Sequence, residues 1–338
     1  MRLSICIPTF NRANFLTDLL QSIADQTGHG CDVEVVISDN ASNDHTAAVV
    51  AHFAETMDYL VYHRQERNEG PDRNFLKVIE LASGDFCWFM GSDDVLEPGA
   101  IVRITEEIAQ HPEIAGMSVA RSMWDIALQE RFVSPSNDRR LFTHSRIMHD
   151  DAAIFPISAD YFGYLSGNIV RRALWNHVVA TEQVSKYFNA YVHVYVMGRM
   201  LQHQPVWYYL AERCVKYRTG NDFFLKDGEF KRIKLDVDGY GEIVRSLYGE
   251  DSAPTRRMDN RVMFHVRHRL IVGKASNFDS DYYRDVLHLS YRHYRRYPRF
   301  WLEILPAALV PSRLVRLARA TYRQTIRPLR LALMNRHH

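Results

Sequence analysis

The sequence predicts an α/β fold: a doubly wound, mostly parallel sheet followed by a helical, basic C-terminal extension. Three observations lead there. Over the first 120 residues, short apolar runs alternate with segments whose apolar residues recur every three or four positions, the pattern of strands alternating with helices. Each apolar run closes on a polar, irregular cluster. Beyond Pro254 the spacing stays helical to the end, and residues 311–338 contain seven arginines with no lysine and no acid. The whole chain is +2, so its first 310 residues carry −5: a mildly acidic body with a strongly basic tail.

The elements follow in order. Leu3–Ile7 reads as a buried strand, and Leu16, Leu19, Leu20 and Ile23 as the inner face of the helix after Pro8-Thr9-Phe10-Asn11. Val33–Ile37 is a second strand, closed by Ser38-Asp39-Asn40, with a helix from about Asn43 for which Ser42 is the expected cap. Tyr59–His63 is a third strand. Asp72 is the expected cap of a helix bearing Phe75, Leu76, Ile79 and Leu81, which Gly84 stops. Asp85–Met90 is a fourth strand, Pro98 suits the first turn of the next helix, and Ile114–Ala120 reads as a fifth strand. Residues 121–160 read as loops with short elements, and 161–253 as short strands and helices rich in Tyr, His and Phe.

The composition, 46% hydrophobic and 24% charged over 338 residues, excludes a disordered chain, a collagen-like repeat and a small disulfide scaffold. The longest apolar stretch, Phe300–Val310, contains Glu303 and is about half the ~20 residues that span a bilayer. The N-terminus enters a strand directly, without the apolar core of a signal peptide. Cys6, Cys31, Cys87 and Cys214 lack CxxC spacing, and Cys6 and Cys87 lie inside apolar runs, as reduced buried thiols do. A cytoplasmic location is expected.

Ligands of such sheets bind beyond the carboxyl ends of the strands, which directs attention to Pro8–Arg12, Asp39–Ser42, Asn68–Asn74 and Gly91–Asp94. No glycine precedes Gly28 and no GxGxxG or Walker motif occurs, so dinucleotide and P-loop chemistry are disfavoured. What stands instead is Gly91-Ser92-Asp93-Asp94 after the strand core Cys87–Met90. Adjacent carboxylates repel unless a cation or proton intervenes, and hard oxygen ligands suit Mg²⁺ or Mn²⁺. Taken alone, the same residues serve equally as an Asp-rich turn ahead of the Pro98 helix.

Three stretches, SICIPTFNRANFLTDLLQSI, VEVVISDNASNDHT and RNEGPDRNFLKVIELASGDFCWFMGSDDVLEPGAI, closely resemble the nucleotide-binding half of family 2 glycosyltransferases. The resemblance is specific over residues 3–104 and traceable to about residue 200. GSDD and the later SGNIVRR are most similar to abequosyltransferase-type enzymes of O-antigen assembly. It implies a GT-A fold, with residues 1–120 as the nucleotide-sugar half, 121–253 as the acceptor half and 254–338 as a helical region with a basic tail. It implies metal-dependent, inverting transfer of a sugar from a nucleotide-diphosphate donor to a lipid-linked oligosaccharide. The alternatives are a soluble or protein acceptor, or a sugar-nucleotide-binding protein that has lost catalysis.

Carried over by position, Pro8, Thr9, Asn11 and Arg12 line the nucleotide pocket and Asp39 takes the place of the acid that binds a pyrimidine base. Asn68, Gly70, Arg73 and Asn74 match the stretch beside the diphosphate; Arg73 suits its oxygens. Pro8 and Gly70 serve equally to shape turns, and Asn74 to start a helix. Ser92 and Asp93 face the donor, Asp93 as metal ligand, and Asp94 supports catalysis. The chain departs from the family twice. Gly91 replaces the first acid of Asp-x-Asp-Asp. In VHVYVMGR, the match to the family's ED-x-x-L-x-x-R, His193 takes the place of the catalytic Asp and Arg199 that of the Arg. His193 is thus the expected base, with a packed imidazole among Tyr187, Phe188, Tyr191 and Tyr195 as the alternative, and Asp151 and Asp160 as substitutes.

In the tail, Arg313, Arg316, Arg319, Arg323, Arg327 and Arg330 recur at three- and four-residue intervals. With Trp301 and neighbouring leucines upstream, this suits the anionic inner face of the cytoplasmic membrane; a solvated helix is the alternative. Nucleic acid is disfavoured because stacking aromatics are not interleaved with the arginines.

Overall fold

A computed structural model describes residues 1–27, 32–132, 140–222, 225, 228–276 and 278–322, with the side chains of residues 159 and 160 left out. Cys31, Asp160 as a candidate base, and Arg323, Arg327 and Arg330 therefore lie outside the described structure. The chain divides into two compact units, Met1–Phe223 with Arg245–Gly249, and Phe224–Val244 with Glu250–His338.

The first unit is built on one mixed sheet. Its strands are β1 (Leu3–Thr9), β2 (Val33–Asp39), β3 (Leu60–Arg64), β4 (Phe86–Phe89), β5 (Val95–Leu96), β6 (Gly116–Trp124), β7 (Arg146–His149), β8 (Asn168–Arg171) and β9 (Val206–Arg218). The order is β3-β2-β1-β4-β8-β6-β9-β5, with β7 also on β9. Pairing is parallel across β3-β2-β1-β4 and between β6 and β9, and antiparallel at β8, β5 and β7. The predicted doubly wound region is therefore interrupted: β8 enters antiparallel between β4 and β6, so the fifth predicted strand does not adjoin the fourth. Gaps within residues 121–160, where the sequence pattern is weak, hold the end of β6, β7 and helix α5 (Asp151–Phe162).

Helices α1 (Ala13–Ala24), α2 (Thr46–Ala54), α3 (Pro71–Leu81), α4 (Ala100–Gln110), α5, α6 (Arg172–Thr181) and α7 (Val192–His203) complete the unit. The helical period of α1 does what it predicts: Leu16, Leu19, Leu20 and Ile23 are buried against Leu3, Ile5, Ile7, Val35 and Trp88, each large aliphatic contributing roughly 1.5–3 kcal/mol. Two caps differ from expectation. Asp44, not Ser42, accepts the Thr46 N–H at 3.0 Å to start α2. Asp72 lies inside the first turn of α3 and its carboxylate serves another helix, described below. Helix α3 ends at Leu81, before Gly84; a Cβ at Gly84 would lie 2.5 Å from Ser4 Oγ and 2.8 Å from the Arg2 carbonyl, so close packing requires that glycine. Cys6, Cys87 and Cys214 are buried free thiols.

Helix α8 (Glu229–Tyr248) starts in the second unit and its last turn belongs to the first. The second unit continues through α9 (Ala253–Ser276), α10 (Ser280–Tyr294), a π-helical turn at Phe300–Ile304, α11 (Leu305–Leu309) and α12 (Ser312–Thr321). No described residue of α12 is buried. Among the described residues no helix is long and apolar enough to cross a membrane.

Candidate active site

Parallel register sets the site. Thr9 pairs with Asp39 at the carboxyl ends of β1 and β2, and β4, on the other side of β1, leads through Met90 into Gly91–Asp94. The β1–α1 turn is held open by Asn11 at φ 54°: its N–H donates to Ser42 Oγ at 2.8 Å and its Oδ1 accepts the Asn43 N–H at 2.9 Å. Asn tolerates this left-handed backbone better than most residues.

Asp39 forms a floor instead of a free ligand. It is 0% exposed; Oδ1 accepts the Ser42 N–H at 2.8 Å and Oδ2 the Tyr62 hydroxyl at 2.7 Å, with Arg64 Nε 3.9 Å from Oδ2. Asn40 ties the neighbouring loop down, donating to Asn68 Oδ1 at 2.8 Å and the Gly70 carbonyl at 3.2 Å. Gly70 sits at φ 85°, which favours glycine there. Asn74 is likewise committed: it accepts from Gln65 at 2.8 Å and donates to the Thr9 carbonyl at 3.3 Å. Thr9 Oγ1 is buried without a hydrogen-bond partner, and Pro8 pairs in register with Ser38. Arg73 stays largely exposed. Its side chain is 58% exposed, 3.5 Å from Glu69 and over the Phe188 ring at 5.4 Å.

The two carboxylates of the β4 turn have different fates. Asp93 keeps 26% of its side chain exposed. Its Oδ2 accepts from Asn221 Nδ2 at 2.7 Å, Asn221 Oδ1 accepts from Arg12 Nη1 at 2.5 Å, and Arg12 Nη2 lies 4.0 Å from the same Oδ2. Asp93 Oδ1 has no side-chain partner among the described residues. Burial raises the Asp93 carboxyl against the pull of Arg12 and Arg218. Asp94 is 3% exposed and fully engaged: Oδ2 accepts from Ser166 Oγ at 2.5 Å and Tyr164 at 2.6 Å, and Oδ1 from the Arg218 N–H at 3.1 Å. Desolvation, then repulsion from Asp93, push it up to about 7. Asp94 therefore shapes the turn from behind and presents no free oxygen to a substrate. Ser92 is buried in that turn.

Gly91 explains the missing acid. Its N–H donates to Ser166 Oγ at 2.9 Å, and a Cβ there would lie 3.1 Å from both Ser166 Oγ and Asp93 Oδ1. Ser166 occupies the space that a side chain at 91 would need.

His193 is packed among aromatic rings. It is 2% exposed on a helix whose first six residues are all buried, edge-on to Phe75 at 5.1 Å, with Phe89 and Tyr191 further out. Neither ring nitrogen makes a hydrogen bond of ordinary geometry, and desolvation, opposed only in part by the Phe162 backbone, lowers its pKa to about 3. The geometry argues for the packed imidazole over the base. Arg199 pairs with Glu182 at 2.5 Å. The start of α7 is nevertheless tied to the site helix: Asp72 Oδ2 accepts the Ala190 N–H at 2.8 Å and Oδ1 the Val192 N–H at 3.0 Å.

Sequence reasoning missed Arg218 and Asn221. Arg218 is the buried hub of the turn: Nε donates to the Asp93 carbonyl at 2.8 Å, Nη1 to the Ile126 carbonyl at 2.6 Å, and Nη2 to Asp18 at 2.7 Å. The signal was present in KYRTGND, an arginine and a Gly-Asn pair closing an aromatic strand, the same grammar as the other strand ends. A cleft of about 580 Å³ lined by residues including Asp18, Gln21, Asp25, Pro98 and Lys216 shares Asp18 with this hub. Among the described residues no three His, Cys, Asp or Glu side chains cluster as a metal cage.

The mixed sheet, with Asp93 bracketed by Arg12 and Asn221 in the turn after β4, has the architecture of the GT-A fold. Residues 4–163 match the profile described as Glycosyl transferase family 2. The abequosyltransferase RfbV of Salmonella typhimurium is 30% identical over 77% of this chain and 79% of its own length. The GalNAc(5)-diNAcBac-PP-undecaprenol β-1,3-glucosyltransferase of Campylobacter jejuni is 24% identical over 56% of this chain and 60% of its own. The crystal structure of S. aureus TarS 1–349 in complex with UDP-GlcNAc shares the fold, with a TM-score of 0.63 at 16% identity, over 96% of this chain and 92% of that one. The chain belongs to glycosyltransferase family 2 and is a glycosyltransferase.

Proposed function

We propose that the protein transfers a sugar, with inversion, from a nucleotide-diphosphate donor to a lipid-linked oligosaccharide in the assembly of O-antigen or another cell-surface polysaccharide. The observation that carries this is Asp93: an accessible carboxylate with Oδ1 uncommitted, steered by Arg12 and Asn221 at the carboxyl ends of parallel strands. The relatives supply the rest of the reading, one being an abequosyltransferase and another acting on a PP-undecaprenol-linked chain.

In this reading the nucleotide lies over Pro8–Arg12 and the Asp39 floor, and Arg73 and Arg12 carry the diphosphate. Asp93 fits Mg²⁺ or Mn²⁺, which take few protein carboxylates and complete their shell with water and substrate phosphate. Such an ion would neutralise the departing diphosphate. Asp94, Tyr164, Ser166 and Arg218 hold the Asp93 backbone in place, so its carboxylate needs no rearrangement when the donor arrives. Asp93→Asn tests the reading: donor-dependent transfer should fall by about 10²-fold or more, and Mn²⁺ should no longer tighten nucleotide binding in a thermal-shift titration. Unchanged turnover sinks it.

The enzyme works on the inner face of the cytoplasmic membrane, held by its basic C-terminal segment. Support comes from α12, where exposed Arg313, Arg316 and Arg319 adjoin Leu314 and Leu317, and from exposed Trp301 and Leu302 upstream.

A further inference from the structure

Arg121 is a cation that the donor site does not use. Strand β6 runs in the direction of β4, because both are antiparallel to β8. Ile169 of β8 pairs with Trp88 on one side and Met117 on the other. Arg121, three residues past the last rung to β8 at Ser118, therefore lies toward the same end of the sheet as the Gly91–Asp94 turn that follows β4. Pairing of β6 with β9 slips at Ala120 and Arg121, the kind of irregularity that re-aims a side chain near a site.

The guanidinium is caged by tyrosines. Its carbon lies 3.9 Å from the centre of the Tyr164 ring, 5.3 Å from Tyr217 and 5.6 Å from Tyr161, and the Tyr164 hydroxyl donates to Asp94. Arg121 Nε and Nη1 are buried with no hydrogen-bond partner, so two donor positions of the guanidinium are unsatisfied. Stripping a cation of water without an anion costs several kcal/mol, and cation–π contacts of roughly 0.5–2 kcal/mol offset only part of that. The arrangement is a charge held in readiness.

We infer that Arg121 in its tyrosine cage is an anion-binding site of the acceptor half, taking a phosphate group carried by the acceptor. This rests on the lipid-linked acceptor proposed above and adds the group that is recognised. The cage fixes the guanidinium on the Tyr164 ring, whose hydroxyl reaches Asp94, so the anchored acceptor comes in beside the Asp93 turn. A residue that only packed the tyrosines would do as well as methionine; an anion site would not.

The test uses the full-length protein without metal or donor, titrated with inorganic phosphate at constant ionic strength and followed by thermal melting, with acetate in parallel. Wild type should gain stability with phosphate. Arg121→Met should melt no lower than wild type in phosphate-free buffer and bind phosphate about tenfold more weakly or worse, the loss of one charge-assisted contact; Arg121→Lys should fall between. An equal phosphate response in wild type and Arg121→Met overturns the inference, as does an acetate response matching that of phosphate. Should Arg121→Met not fold, Arg121→Lys decides, and an unchanged response there overturns it too. No turnover is measured, so a negative result leaves the transferase reading intact, while the Asp93→Asn assay bears on that reading alone.

Discussion

Asp94→Asn should change the pH dependence of stability in a calculable way. In the folded chain the carboxyl titrates at about 7, against an ordinary 3.8, because it is desolvated and lies beside Asp93. A raised carboxyl pKa means that the folded state keeps its proton longer, so stability falls as pH rises through that interval and levels off above it. Integrated between pH 5 and pH 8, this one group removes about 2.5 kcal/mol. Asparagine does not titrate, and its amide oxygen still accepts from one of Tyr164 and Ser166, whose hydroxyls rotate freely. Urea midpoints of both proteins at pH 5, 6, 7 and 8 in metal-free buffer give the difference, to which Asp93, relieved of the Asp94 charge in the variant, adds in the same direction. The variant should gain on wild type toward high pH, by about 2.5 kcal/mol across the range. A difference that stays constant, or widens toward acid, refutes the reasoning.

Three further expectations follow from the same geometry. His193→Phe should retain transfer and gain stability at acid pH: with the folded imidazole at about 3 and the ordinary value 6.5, wild type loses stability as pH falls below 6.5, by about 2 kcal/mol at pH 5; a transfer rate down 10²-fold in a well-folded variant would restore His193 as the base. Asp72→Ala should cost about 2–4 kcal/mol in urea unfolding, since two backbone N–H groups at the start of α7 lose a buried carboxylate, and a change below 0.5 kcal/mol would make that cap irrelevant. Deleting residues 311–338 should release the protein from anionic vesicles in flotation at low salt, where each arginine contributes ~1 kcal/mol, while donor hydrolysis persists; a truncated chain that still floats places the anchor around Trp301.

Much of the parallel part of the sheet was legible because its information is local. The apolar runs Leu3–Ile7 and Val33–Ile37 and the α1 stripe Leu16, Leu19, Leu20, Ile23 each state their own period, and strand ends are where a parallel sheet keeps its polar residues. Pro8–Arg12, Asp39–Ser42 and Gly91–Asp94 could thus be gathered into one place before any coordinates. Which of those groups remain available was not legible, since it depends on partners remote in sequence. Asp39 is occupied by Ser42 and Tyr62 and Asp94 by Tyr164, Ser166 and Arg218, while Asp93, bonded through Oδ2 to Asn221, stays partly exposed.

His193 shows the limit from the other side. Its helix is buried over nine of twelve residues, so VHVYVMGRMLQH has no polar face from which to read orientation, and a motif position was all that remained. The antiparallel entry of β8 and the arrival of Arg218 and Asn221 beside Asp93 escaped for a related reason. Local sequence sets the period of a strand, but its neighbour is chosen by which distant segment completes the backbone ladder and the core at least cost in free energy. The sequence by itself determined the parallel part of the sheet and the polar residues at its strand ends; only tertiary packing decided which charges are sealed, which are paired and which stay exposed.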